Sequence, residues 1–278
     1  MVRTMTAVIL GVLLAAASAA GGPGDAQADR FAEANALFDR SVGMIGKDDR
    51  AASAGLRHAG ESYRAILLET PSSDLATNAG NAFLLAGDTG RAIAMYHRAL
   101  RLDPGDARAR TNLGVARERA QASAVIETDS SLLERAVGWR HGMSPPVRAL
   151  LAAGAWALLW AWAAGRVLGL WRVPWTAGAA PAALVAGVFA LTIAADELSA
   201  RGPAVGVVVS NETVGRTGPD AVVYDPSFTA ALPEGVEFVV VDRRAGWVLG
   251  RLGDGRESWL RASDVQVVGG EIPHAGAS

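Results

Sequence analysis

The chain contains no cysteine, which excludes a disulfide framework, a thiolate zinc site and a thiol nucleophile. Lysine is almost as scarce. Of 26 basic residues only Lys47 is a lysine, and with 28 acidic residues the formal net charge is −2. A balance this close to zero leaves no clustered basic excess for phosphate backbones, so nucleic acid is not an expected partner. Aromatics make up 6% of the 278 residues, yet six of the eight tryptophans crowd between Trp139 and Trp175. That crowding suits a membrane region better than a soluble core. With half the residues apolar, the composition argues against a single soluble globule.

Catalytic constellations are missing as well. His58, His97, His141 and His274 are far apart in the sequence, and no His-x-x-x-His or His-Glu-x-x-His spacing occurs. Gly43-Met44-Ile45-Gly46-Lys47 echoes a phosphate loop but has no preceding strand, and Asp48 stands where a Ser or Thr is needed. Gly250-x-x-Gly253-x-Gly255 reads as a hairpin, because no helix follows it. No Gly-x-Ser-x-Gly elbow is present. Asp196-Glu197 reads as an interfacial cap at the edge of an apolar segment rather than a carboxylate dyad. The expectation is a chain without enzymatic activity, cofactor or metal.

What is present begins with Arg3, an apolar run over residues 7–17, then small residues. This pattern predicts a secretory signal within residues 1–28, cleaved after Ala19 or Ala28, or else retained as an anchor. Either version leaves the next segment outside the cytoplasm. Residues 29–122 read as helices, and they repeat. Ala59, Tyr63 and Pro71 recur 33 residues later as Ala92, Tyr96 and Pro104, while Asn78 and Gly80 recur 34 residues later as Asn112 and Gly114. A period of 33–34 residues describes a two-helix unit that buries its face only by stacking on neighbours. Residues 73–106 keep the pattern best and resemble a tetratricopeptide repeat. In the looser repeat before it, residues 31–39 and 60–69 are the expected helices, with 43–56 inserted between them. Residues 111–122 are expected to cap the stack.

In repeats of this kind a concave groove, lined by the first helix of each pair, receives peptides. Asn35, Asn78, Asn81, Arg108 and Asn112 fall on those first helices. Amide side chains beside a guanidinium can hold a peptide main chain and its terminal carboxylate. The set resembles the carboxylate clamp of some tetratricopeptide proteins, so these five are the expected partner-binding residues.

A linker over 123–146 leads to residues 149–165 and 173–195, which hold 17 and 23 residues without a charge. At 1.5 Å per residue they span roughly 26 and 35 Å, against a hydrocarbon core of about 30 Å. The first reaches full length if Arg166 snorkels. Two transmembrane helices, 147–170 and 173–195, are therefore expected. Small residues recur at every fourth position on both, which allows close helix approach. Arg166 and Arg172 flank the short connection, and Asp196 and Glu197 follow the second span. The positive-inside rule places that connection in the cytoplasm and both soluble regions outside it.

Residues 204–270 are strand-like, with β-rich runs at 205–210, 221–224, 236–241, 247–252, 258–261 and 265–268, and an eight-residue tail after them. Short strands at this spacing predict a small barrel. The stretch from Gly246-Trp247-Val248 through Gly253-Asp254-Gly255 to Ser258-Trp259-Leu260 resembles the end of bacterial SH3-like domains, although their usual start is matched at best by residues 212–216. Tyr224, Trp247 and Trp259 are the expected groove residues, with at least one tryptophan expected in the core.

The fold class expected is thus a multidomain membrane protein: an α-α superhelical repeat domain, a transmembrane helical hairpin and an all-β SH3-like barrel. This order resembles the BatE family of repeat proteins from bacterial Bat (aerotolerance) operons. Asn78-Ala79-Gly80-Asn81-Ala82-Phe83, Leu102-Asp103-Pro104-Gly105-Asp106 and Asn112-Leu113-Gly114 carry the likeness. The resemblance implies a scaffold in the inner membrane, working with von Willebrand A-domain membrane proteins and a MoxR-type AAA+ ATPase. A cell-wall sensor is the alternative, its barrel binding peptidoglycan peptides while its repeats recruit an envelope enzyme.

Overall fold

The computed structural model describes residues 23–120, 145–170, 175–200 and 202–269. Seven helices and five strands follow one another among them: α1 (Pro23–Val42), α2 (Asp49–Glu69), α3 (Ser73–Leu85), α4 (Thr89–Leu102), α5 (Ala107–Ala120), α6 (Pro145–Val167), α7 (Trp175–Ala200), β1 (Val205–Val208), β2 (Glu237–Arg244), β3 (Trp247–Arg251), β4 (Glu257–Arg261) and β5 (Val265–Val268). The chain divides into two compact units between Asp88 and Thr89.

The first unit is helical. α1 begins at Pro23, upstream of the expected cleavage point after Ala28, and residues 1–22 of the expected leader lie outside the described residues. The insertion expected over 43–56 is shorter than its composition suggests. Asp48 accepts a hydrogen bond from the Ala51 N–H at 3.0 Å, satisfying an otherwise orphaned donor, and α2 starts at once behind this cap. α2 packs against both α1 and α3. Leu56, Ala59, Tyr63, Ile66 and Leu67 recur at helical spacing and are buried on one stripe, while α3 buries Leu75, Ala79 and Phe83.

The second unit combines α4–α7 with a five-stranded antiparallel sheet of order β4-β3-β2-β1-β5. One sheet face is the core, built from Val208, Phe238, Val240, Val248, Leu260 and Val265. Register fixes which side chains look the other way. Val248 pairs with Leu260 on the core side, so the neighbouring pairs Trp247–Arg261 and Leu249–Trp259 share the opposite face. Trp259 is buried, as expected of at least one tryptophan, although it lies on the face opposite the Val248–Leu260 cluster, and Trp247 is half-buried. The run 221–224 forms a turn, not a strand. Asp220 Oδ1 accepts the N–H groups of Val222 at 2.7 Å and Val223 at 3.0 Å, an Asx arrangement that takes both donors out of any ladder.

α4 packs on β1 and β5. At Gly90 a Cβ would lie 2.3 Å from the Val208 carbonyl oxygen, so only glycine permits this approach. Gly235, at φ +86°, faces Ala120 and Ile93, and a Cβ there would stand 2.6 Å from Ala120 Cβ. α6 and α7 pack against each other. Val147–Val167 is, among the described residues, the helix long and apolar enough to cross a membrane, and α7 carries a shorter apolar stretch at Ala183–Thr192.

Candidate functional site

The expected groove residues divide between the units. Asn35 (α1), Asn78 and Asn81 (both α3) belong to the first, Arg108 and Asn112 (both α5) to the second. Asn35 is engaged internally: its Oδ1 accepts the Tyr63 hydroxyl at 2.7 Å. Burial, reinforced by the Asp39 carboxylate, pushes that hydroxyl up to about 12, so it stays protonated and donating. Asn78 and Asn81 are half-buried. Arg108 is exposed, its Nε 3.8 Å from Asp106 Oδ1. Asn112 hydrogen-bonds the buried Tyr96 hydroxyl. Asn35 and Asn112 therefore brace tyrosines that recur with the repeat period, a role that composition alone did not distinguish from partner binding. The first unit carries a cavity of about 430 Å³ between α1 and α2, lined by Arg40, His58, Leu37 and Ile66 and by none of the expected asparagines.

On the sheet, Trp247 is half-buried, Trp259 is 8% exposed and Tyr224 is 41% exposed. Both indoles are overlain by guanidinium groups: Arg244 lies 5.2 Å from the Trp259 ring centre, and Arg261 5.9 Å from that of Trp247.

The most tightly built polar cluster was not anticipated. Glu237 opens β2 with a side chain only 2% exposed. Its carboxylate receives Arg117 Nε at 2.6 Å and the second guanidinium nitrogen at 2.7 Å, while His97 Nε2 stands 2.6 Å from Oε2. Burial alone would raise this carboxyl, but the hydrogen bonds and charges of Arg117 and His97 outweigh it and hold it at about 2. Nearby, the Gly90 N–H donates to Glu234 Oε1 at 2.7 Å, and Arg101 donates to the carbonyls of Gly202 and Pro203 at 2.7 and 2.6 Å. A signal existed in the sequence: Glu237 is the one charge in the run Val236-Glu237-Phe238-Val239-Val240-Val241, and a buried charge requires a partner.

Comparison with known families gives one positive finding. Residues 80–121, covering most of the best-kept repeat and α5, match the TPR repeat family model. The helices are thus repeats of the tetratricopeptide kind over that segment, a module that serves protein–protein interaction. A search of curated proteins gave no match.

Proposed function

We propose that the chain is a membrane-anchored, non-enzymatic scaffold whose repeats bind protein partners on the extracytoplasmic side. One observation carries the topology: Glu237 is bound by His97 and Arg117 across 140 and 120 residues of sequence. The segments before and after α6 and α7 thus meet in one folded unit. A chain that crosses a bilayer between two such segments crosses it an even number of times, so α6 and α7 act as a pair. α6 is long and apolar enough to span by itself, and α7, with 26 residues around a shorter apolar stretch, is proposed as its return. Large apolar side chains point outward on both; Leu150 is 73% and Leu158 68% exposed on α6, and Leu184 69% on α7. Water disfavours such a surface and lipid covers it. The leader-like start and the arginines flanking the connection favour the extracytoplasmic side for both ends.

The partner reading rests on the repeats. Asn78, Asn81 and Arg108 are proposed to hold a partner's tail, and the sheet domain, read as an SH3-like barrel, is proposed as a second contact with Tyr224, Trp247 and Trp259 at its groove. The likeness to BatE proteins suggests a Bat-type complex, with von Willebrand A-domain proteins as direct partners and a MoxR-type ATPase reached through them.

Two measurements test this. Reporter fusions after positions 122 and 270 should both report the extracytoplasmic side, and one between Arg166 and Arg172 the cytoplasm; opposite sides for the first two would remove the hairpin. Co-purification of membrane partners at matched expression should fall for Asn78→Ala and for Arg108→Ala. Unchanged recovery with both would dismiss the groove.

A further inference from the structure

We infer that the outer face of β2–β3–β4 is a recognition surface for an acidic peptide segment, distinct from the repeat groove. The strand register puts Arg244, Trp247 and Arg261 in one row across three strands. Asp242, Leu249 and Trp259 form the next row, extended by Arg216, which bridges to Trp259 from the chain beyond β4. Arg251 and Glu257 follow, paired at 2.7 Å.

The charge on this face does not cancel. Four guanidinium groups stand against two carboxylates. Asp242 takes Arg244 at 3.3 Å and Glu257 takes Arg251. Among the described residues, Arg216 and Arg261 form no ion pair; Arg216 donates to the Tyr224 carbonyl at 3.0 Å, and the Arg261 guanidinium lies over the Trp247 ring at 5.9 Å. A guanidinium held over an aromatic ring by its cationic charge keeps N–H donors for bidentate carboxylate binding.

The geometry favours a peptide over a lipid surface. Trp259 is nearly buried and Trp247 half-buried, so neither indole protrudes as an interfacial wedge would. Arg244 and Arg261 sit two strand spacings apart, roughly 10 Å. In an extended peptide, acidic residues two or three positions apart are separated by roughly 7–10 Å and can reach both.

The test uses the full chain in phosphatidylcholine nanodiscs and a fluorescein-labelled octapeptide of alternating Glu and Ser, read by anisotropy. Saturable binding is expected, at least about tenfold tighter than for the Gln-Ser analogue, and weakening steeply with salt. Arg261→Gln should reduce affinity about tenfold or more, Arg261→Lys should retain part of it, and Arg50→Gln, on α2, should leave it unchanged. A thermal melt of each variant accompanies the titration; if Arg261→Gln melts early, Arg261→Lys decides. Equal binding of the Glu and Gln peptides, or equal losses for Arg261→Gln and Arg50→Gln, would overturn the inference. Arg261-dependent binding of soluble short-chain phosphatidylglycerol, with no binding of the Glu peptide, would overturn it in favour of a lipid headgroup. The reporter and co-purification results are independent of all these outcomes.

Discussion

Replacing Glu237 with Gln should weaken the second unit more than any other single polar change described. The side chain keeps its shape but loses the charge that Arg117 and His97 both address. Two independent routes give the magnitude. Lowering a carboxyl from its ordinary 4.5 to about 2 corresponds to about 3 kcal/mol, since each pH unit is worth about 1.4 kcal/mol. Removing one partner of a buried ion pair typically costs about 3–5 kcal/mol. A loss near 3 kcal/mol is expected, read from denaturant melts in neutral detergent at pH 7. The pH dependence carries a sign. The folded carboxyl titrates below the unfolded one, so its contribution is complete above pH 4.5 and disappears as the pH falls towards 2. The gap between native protein and Glu237→Gln should close over that window, while titration of the other carboxylates cancels in the difference. A double-mutant cycle with Arg117→Gln should show coupling of about 1–3 kcal/mol. A variant within 0.5 kcal/mol of the native protein, or a gap constant from pH 6 to pH 2, would refute the reasoning.

Gly90→Ala should destabilise the same unit by about 1–3 kcal/mol, since its Cβ would drive into the Val208 carbonyl; the same melt measures it, and a neutral result would mean that α4 can shift on the sheet. Tyr63→Phe should cost about 1 kcal/mol through the lost bond to Asn35, and an additional Asn35→Ala should then add little, which a double-mutant cycle checks. Tyr96→Ala, emptying a fully buried aromatic site, should cost about 3–5 kcal/mol, visible as loss of protease resistance in the repeat segment.

Local periodicity made the helices legible, because a stripe of buried residues at 3.6-residue spacing is written directly into the chain. Ala92, Tyr96 and Ala99 are buried where the repeat spacing puts them. The strand runs 247–252, 258–261 and 265–268 were legible from β-rich composition between turn signals. Where a single side chain overrode the pattern, the reading failed. Ala221-Val222-Val223-Tyr224 has strand composition, yet one Asp220 carboxylate captures two of its donors. Asp48 similarly begins a helix in the middle of a presumed insertion. Size rightly suggested that one tryptophan is buried, and Trp259 is, but only the alternation along β3 and β4 shows that it lies opposite Val248 and Leu260. Glu237 could be recognised as anomalous, but its partners lie more than a hundred residues upstream, and no one-dimensional pattern names them.

That separation sets a timetable for synthesis. When the ribosome has finished α5, the face of α4 that will meet β1 and β5 has nothing to pack against, and Arg117 waits about 120 residues for its carboxylate. At about 5–20 residues per second, the wait is roughly 6–24 s, with the apolar α6 and α7 delivered in between. For that interval the repeat segment carries an uncovered Ile93 and Gly90 surface and an unmatched guanidinium, a species open to chaperones and proteases alike. A chain that ends within α6 or α7 therefore lacks the strands that cover this surface and the carboxylate that matches Arg117.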